Sequence, residues 1–111
     1  MPHKESILKL KTEAFAFRVI NLYKYLVEQR ETVISKQIYR SGTSIGANVA
    51  ESINAQSHAD FVSKLSIALK EANETEYWLD LLQATDYLDD KQYKSLVTDC
   101  KELEAILVSI I

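Results

Sequence analysis

The chain has 111 residues, enough for one domain spanning 1–111 with one core, and too few for two. Apolar residues make up 47% of it, which suits a packed core and argues against disorder. With 13 basic and 16 acidic residues the net charge is -3, so a global positive field for gripping phosphates is excluded, while a local basic patch stays open.

Only two glycines and one proline are present, and strand-type alternation is missing, so the chain reads as all-α. The first helix is predicted from Ser6 to Gln29, with Ser6 as N-cap. It carries three apolar seams: Ile7, Leu10, Ala14 and Phe17; Leu8, Phe15, Val19, Leu22 and Leu26; Ala16, Ile20, Tyr23 and Val27. Together they exceed the usual stripe of about 100°. Such a helix is either buried on two sides or touches another chain. The second helix is predicted from Thr32 or Val33 to Ala55, on a seam through Ile34, Ile38, Ser41, Ile45 and Val49. Gly42 and Gly46 interrupt it. They fit close packing of a neighbouring helix, with a kink as the alternative.

The third helix is predicted from Ala59 or Asp60 to about Leu88. Phe61, Leu65, Ala68, Ala72, Thr75, Leu79 and Leu82 form its heptad seam, while Ile67, Tyr77, Trp78 and Leu81 lie off it. The fourth starts at Asp89-Asp90, whose carboxylates suit a helix N-terminus. Its seam is Tyr93, Leu96, Cys100, Leu103, Leu107 and Ile110. The connections are short, which makes neighbours antiparallel and predicts an up-down-up-down four-helix bundle.

Little here can carry chemistry. His3 and His58 are the only histidines and Cys100 the only thiol, none at metal-ligand spacing, so no metal or cofactor is expected. Both histidines read as solvated surface, His58 in a loop. A single cysteine cannot form an intrachain disulfide and fits a reducing compartment. No apolar run approaches the roughly 20 residues of a membrane span, and no leader is evident, so a cytoplasmic protein is expected. Ser41 and Ser44 lack the glycine spacing and the histidine that a nucleophile needs, and no enzyme is predicted.

One polar stripe stands out. Arg40, Ser44, Asn48 and Glu51 share a face of the second helix, and Lys64, Glu71, Glu74 and Trp78 a face of the third. They are expected to form a half-buried network that sets helix register and oligomer order. A polar ligand pocket is the alternative. Loss of Arg40 would then strand a buried partner, at about 3–5 kcal/mol.

The segment Arg40-Ser41-Gly42-Thr43-Ser44-Ile45-Gly46-Ala47-Asn48-Val49-Ala50-Glu51 resembles the signature of the 23S rRNA intervening-sequence proteins, also called four helix bundle proteins. Phe61, Leu65-Ser66-Ile67-Ala68 and Glu74 continue the match, which covers roughly Phe15 to Ile110. Gly46 stands where the family usually has proline, and Ser52 where it usually has glycine. The resemblance implies an antiparallel four-helix bundle and a ring-like homopentamer. A similar accessory protein of diversity-generating retroelements is basic and binds nucleic acid with a reverse transcriptase; this chain lacks that charge.

The leading expectation is therefore a non-enzymatic oligomeric scaffold or protein-interaction module. A homopentamer is favoured over a dimer, with Phe15, Val19, Tyr23, Tyr77 and Trp78 at the subunit interface. The alternative is a nucleic-acid-binding accessory protein that uses Lys4, Lys11 and Arg18, seven residues apart on one face of the first helix.

Overall fold

Each apolar seam folds into a helix. In the computed structural model, which describes residues 4–111, α1 spans Lys4–Glu28, α2 Ile34–Ile53, α3 His58–Ala84 and α4 Asp90–Ile110, with no strand among the described residues. His3 lies outside them. α1 already contains Lys4, so Ser6 is an exposed residue inside the helix and not its N-cap. At about 1.5 Å per residue α1 is roughly 37 Å long, close to the 43 Å long axis of the molecule.

Residue pairing shows the directions of the helices. Val19 faces Gly42 and Thr12 faces Gly46. Ser41 meets Thr75, and Glu51 meets Lys64. Ala72 meets Cys100, and Asp80 meets Tyr93. Lys11 meets Glu102, and Arg18 meets Asp99. In all four seams, moving forward along one helix means moving back along the other, so every neighbouring pair is antiparallel. α1 packs on α2 and α4, and α3 packs on the same two, which leaves α1 and α3 at opposite corners of the bundle.

The ends of the helices follow from local chemistry. α1 and α3 both close on a left-handed residue, Arg30 (φ 64°) and Asp86 (φ 67°). The amide after each reaches back five residues, Glu31 to the Leu26 carbonyl at 2.8 Å and Tyr87 to that of Leu82 at 2.9 Å. This turn ends α3 at Ala84, four residues before the expected Leu88, whose side chain is instead buried in the link. His58 opens α3 rather than sitting in a loop, and its exposed ring stacks on Phe61 at 6.3 Å. Ser57 caps that helix by accepting the Asp60 amide at 3.0 Å. Asp89 and Gln92 form a reciprocal capping box on α4. α2 has no side-chain bond from its N-cap Val33; the buried Glu31 carboxylate accepts the Ser35 amide at 2.6 Å instead.

α2 runs unbroken through both glycines. A β-carbon on Gly42 would lie 2.7 Å from both γ-methyls of Val19, closer than carbon atoms can approach. Val19 is β-branched and stiff, so it cannot turn aside. Gly46 is different, because a β-carbon there would meet Thr12 at an ordinary 3.4 Å. The two glycines should therefore respond oppositely to alanine. Gly42→Ala should lower stability by about 1–2 kcal/mol, overpacking outweighing the gain in helix propensity. Gly46→Ala should raise it by about 0.5–1 kcal/mol. Denaturant unfolding of the two variants checks this; equal effects would show that α1 and α2 do not meet closely at Gly42.

Candidate functional site

The α2–α3 seam holds the polar stripe, because steps of three and four residues keep Glu71, Glu74 and Trp78 on the flank of α3 that faces Arg40. Arg40 pairs through Nη1 with Glu71 Oε2 at 3.1 Å and through Nη2 with Glu74 Oε2. The same Glu74 oxygen accepts the indole N–H of Trp78 at 3.0 Å. One carboxylate thus holds a cation from α2 and an aromatic from its own helix. Beneath it, the buried Thr75 hydroxyl bridges the Glu71 carbonyl (2.8 Å) and the Ser41 hydroxyl (2.9 Å). That buried bridge was hidden in the sequence, since both residues read as ordinary seam positions.

The expected six-residue network is smaller than the stripe suggested. Ser44 donates to the Arg40 carbonyl at 2.6 Å, and Asn48 to that of Ser44 at 2.9 Å, so both turn onto their own helix. Glu51 belongs to a separate pair with Lys64, 3.7 Å apart. The Arg40 side chain is 51% exposed and its partners Glu71 and Glu74 are half-buried, so water screens the pairs and lowers the cost of stranding a carboxylate.

The stripe of Lys4, Lys11 and Arg18 lies on the flank of α1 toward α4. Lys11 pairs with Glu102 at 2.8 Å and Arg18 with Asp99 at 2.7 Å. Ser95 also accepts from Arg18, through its carbonyl at 3.2 Å and its hydroxyl at 2.9 Å. Two of the three cations are therefore matched by acids of α4, while Lys4 is exposed.

Two residues expected at a subunit interface are instead inside the protomer. Phe15 is 2% exposed and Val19 1%, because both lie on the α1 stripe that faces α2 and the core. Tyr23 is half-buried, edge-on to Tyr39 at 4.9 Å. Tyr77 is 54% exposed and packs edge-on to the half-buried Trp78 at 5.1 Å. The most exposed large apolar residues of α1 are Leu10 (67%) and Phe17 (68%). They are one heptad apart and point away from the core stripe. Glu13 and Lys24, both exposed, lie on the same outer face.

The α3–α4 seam holds a thiol and a carboxylate with displaced proton affinities. Cys100 is fully buried and donates to the Ala72 carbonyl at 3.3 Å. Burial pushes its thiol well up, with Glu104 adding to the effect, so it is held in the unreactive neutral form. Glu104 is raised to about 7, first by burial and then by the neighbouring Glu76. Tyr93 donates to Asp80 at 2.6 Å, a bond that pushes the phenol up to about 12. Among the described residues no group of three or more His, Cys, Asp or Glu could hold a metal ion, and no helix is long and apolar enough to cross a membrane.

The family model for the 23S rRNA-intervening sequence protein matches residues 4–109. The chain is also similar to a crystal structure from Bacteroides thetaiotaomicron VPI-5482, described as a protein with unknown function from the S23 ribosomal protein family. The two are 58% identical over 97% of each chain, with a TM-score of 0.96. No curated protein matches the chain.

Two measurements follow from this geometry. Arg40→Ala should cost only about 1 kcal/mol, the value of a screened surface network; a loss of 3 kcal/mol or more in denaturant unfolding would show that the pairs are desolvated. Glu104 binds its proton more tightly folded than unfolded, so its contribution is full below the ordinary carboxylate range. It is lost as pH rises through about 7. The melting temperature should fall between pH 5 and pH 8, by the equivalent of about 1 kcal/mol after solvent screening. Glu104→Gln should flatten that slope, and an unchanged slope in the variant would place its origin elsewhere.

Proposed function

We propose that this chain, which belongs to the 23S rRNA-intervening sequence protein family, is a non-enzymatic scaffold or protein-interaction module. It works in the reducing cytoplasm, assembled from copies of itself. The observation that supports this is the pair of apolar outer faces. Leu10 and Phe17 are exposed on α1, and Ile67 and Tyr77 on α3. Because α1 and α3 occupy opposite corners, these faces lie on opposite sides of the protomer. A two-fold contact would cover one face and leave its counterpart wet. A head-to-tail contact, with α1 of one copy on α3 of the next, covers both and closes into a ring if the rotation allows. Five copies is the number that the family resemblance implies, and a dimer is the alternative. A scaffold also agrees with side chains committed to structure: the Cys100 thiol is buried, and the Ser44 hydroxyl is bonded to its own helix.

The nucleic-acid reading draws less support. Phosphate binding needs uncompensated cations, and Lys11 and Arg18 are already paired with acids. RNA binding that weakens steeply with salt would restore it.

Light scattering on the eluting protein tests the assembly. The expected mass is about five times the 12.7 kDa protomer, and Phe17→Glu should reduce it by placing a charge in the subunit contact. Trp78 emission should shift to the red on dilution as the ring dissociates. A monomeric mass at high micromolar concentration, with Trp78 emission insensitive to dilution, would overturn the scaffold reading.

A further inference from the structure

A cleft of ≈ 460 Å³ opens between α1 and α4 beside the link that joins α3 to α4. Its floor is Leu22, Leu88 and Leu96, all members of the main core. Tyr25, partly exposed, is an aromatic wall. Around this apolar base the rim carries Arg18 and Lys91, with Asn21, Gln92 and Ser95 between them. No carboxylate lines it among the described residues, although acids outnumber bases in the chain by 16 to 13.

The nearby acids are already engaged. Asp99 and Ser95 hold two edges of the Arg18 guanidinium, which fixes its position and leaves further N–H donors on the group. Asp89 caps the Gln92 amide at 2.7 Å, and Asp90 accepts from Gln83 at 2.9 Å, toward α3. Gln92 Oε1 is taken by the Asp89 amide at 3.1 Å, so the group it can still offer is its NH₂. Lys91 has no ion-pair partner among the described residues. The rim is thus rich in donors, carries one uncompensated positive charge, and stands over an apolar floor.

The geometry points to a binding site for a small amphipathic carboxylate, its apolar body on the leucines and Tyr25 and its carboxylate facing Lys91 and the fixed Arg18. An apolar base with a few convergent polar groups is the usual build of a small-molecule site. A neutral ligand would leave the Lys91 charge unused, and a cation would be repelled by it.

The test uses octanoate as probe and octan-1-ol as a comparator with the same chain and no charge, added to the full-length protein in its own assembly state. Amide shifts in transverse-relaxation-optimised NMR spectra should saturate at millimolar octanoate and be confined to Asn21, Tyr25, Gln92, Ser95 and their neighbours. Lys91→Glu, at an exposed position that cannot disturb the core, should weaken octanoate by about fivefold or more through charge reversal. It should leave octan-1-ol unchanged. Trp78, in the opposite seam, should not respond. Equal binding of octan-1-ol and octanoate would reduce the cleft to an apolar patch. Shifts spread over the outer faces of α1 and α3, no saturation, or indifference to Lys91→Glu would each overturn the site.

Discussion

Val19 fills the space where a side chain on Gly42 would stand, and the rest of the bundle is arranged around that approach. Helix axes normally stay 8–10 Å apart because side chains keep them there. A missing β-carbon brings α2 onto α1, with Val19 as the knob. Once that contact is made, the rotation of α2 about its axis is set. Ile38, Ile45 and Val49 enter the core, Ser41 turns toward Thr75, and Arg40 turns to the acids of α3. The two ends of α2 are then held by its links, with the Glu31 carboxylate on the Ser35 amide at its start.

The polar groups of the seams contribute direction more than energy. The Ser41–Thr75 bridge is buried, so a one-turn slip of α3 would take the Ser41 hydroxyl's partner away in an apolar setting, at about 1–3 kcal/mol, while Thr75 keeps its bond to the Glu71 carbonyl of its own helix. The exposed pairs of Lys11, Arg18 and Arg40 are each worth little, yet they sit on both flanks of the bundle and all favour the same antiparallel register. The seam between α3 and α4 is different. There Glu104 lies near Glu76 and the buried Cys100, so its packing is tied to a proton and not to a countercharge.

Satisfying the core and the seams leaves three surfaces without an internal role: the outer faces of α1 and α3, and the cleft at the α1–α4 link. They differ in chemistry. The outer faces are apolar residues scattered among Glu13, Lys24 and Lys70, a mixture suited to another folded chain. The cleft has a leucine floor under a cationic rim, which suits a small anion.

Much of the architecture was legible in the residues themselves. Four seams at helical spacing, few breakers and short links required four antiparallel helices. The family signature around Asn48, the capping acid Asp89 and the facing of Arg40 toward Glu71 and Glu74 could also be read directly. The sequence could not say which of three apolar seams on α1 is inside. Leu10 and Phe17 are as apolar as Leu8 and Phe15, and only the positions of α2 and α4 decide that the first two face water. Nor could it reveal that Arg18 is matched by Asp99, 81 residues away, or that Leu22, Leu88 and Leu96 share the floor of one cleft. Periodicity records which residues share a face of one helix. Whether that face is buried, paired or open depends on elements distant in the chain, and that distance is closed only when the helices pack.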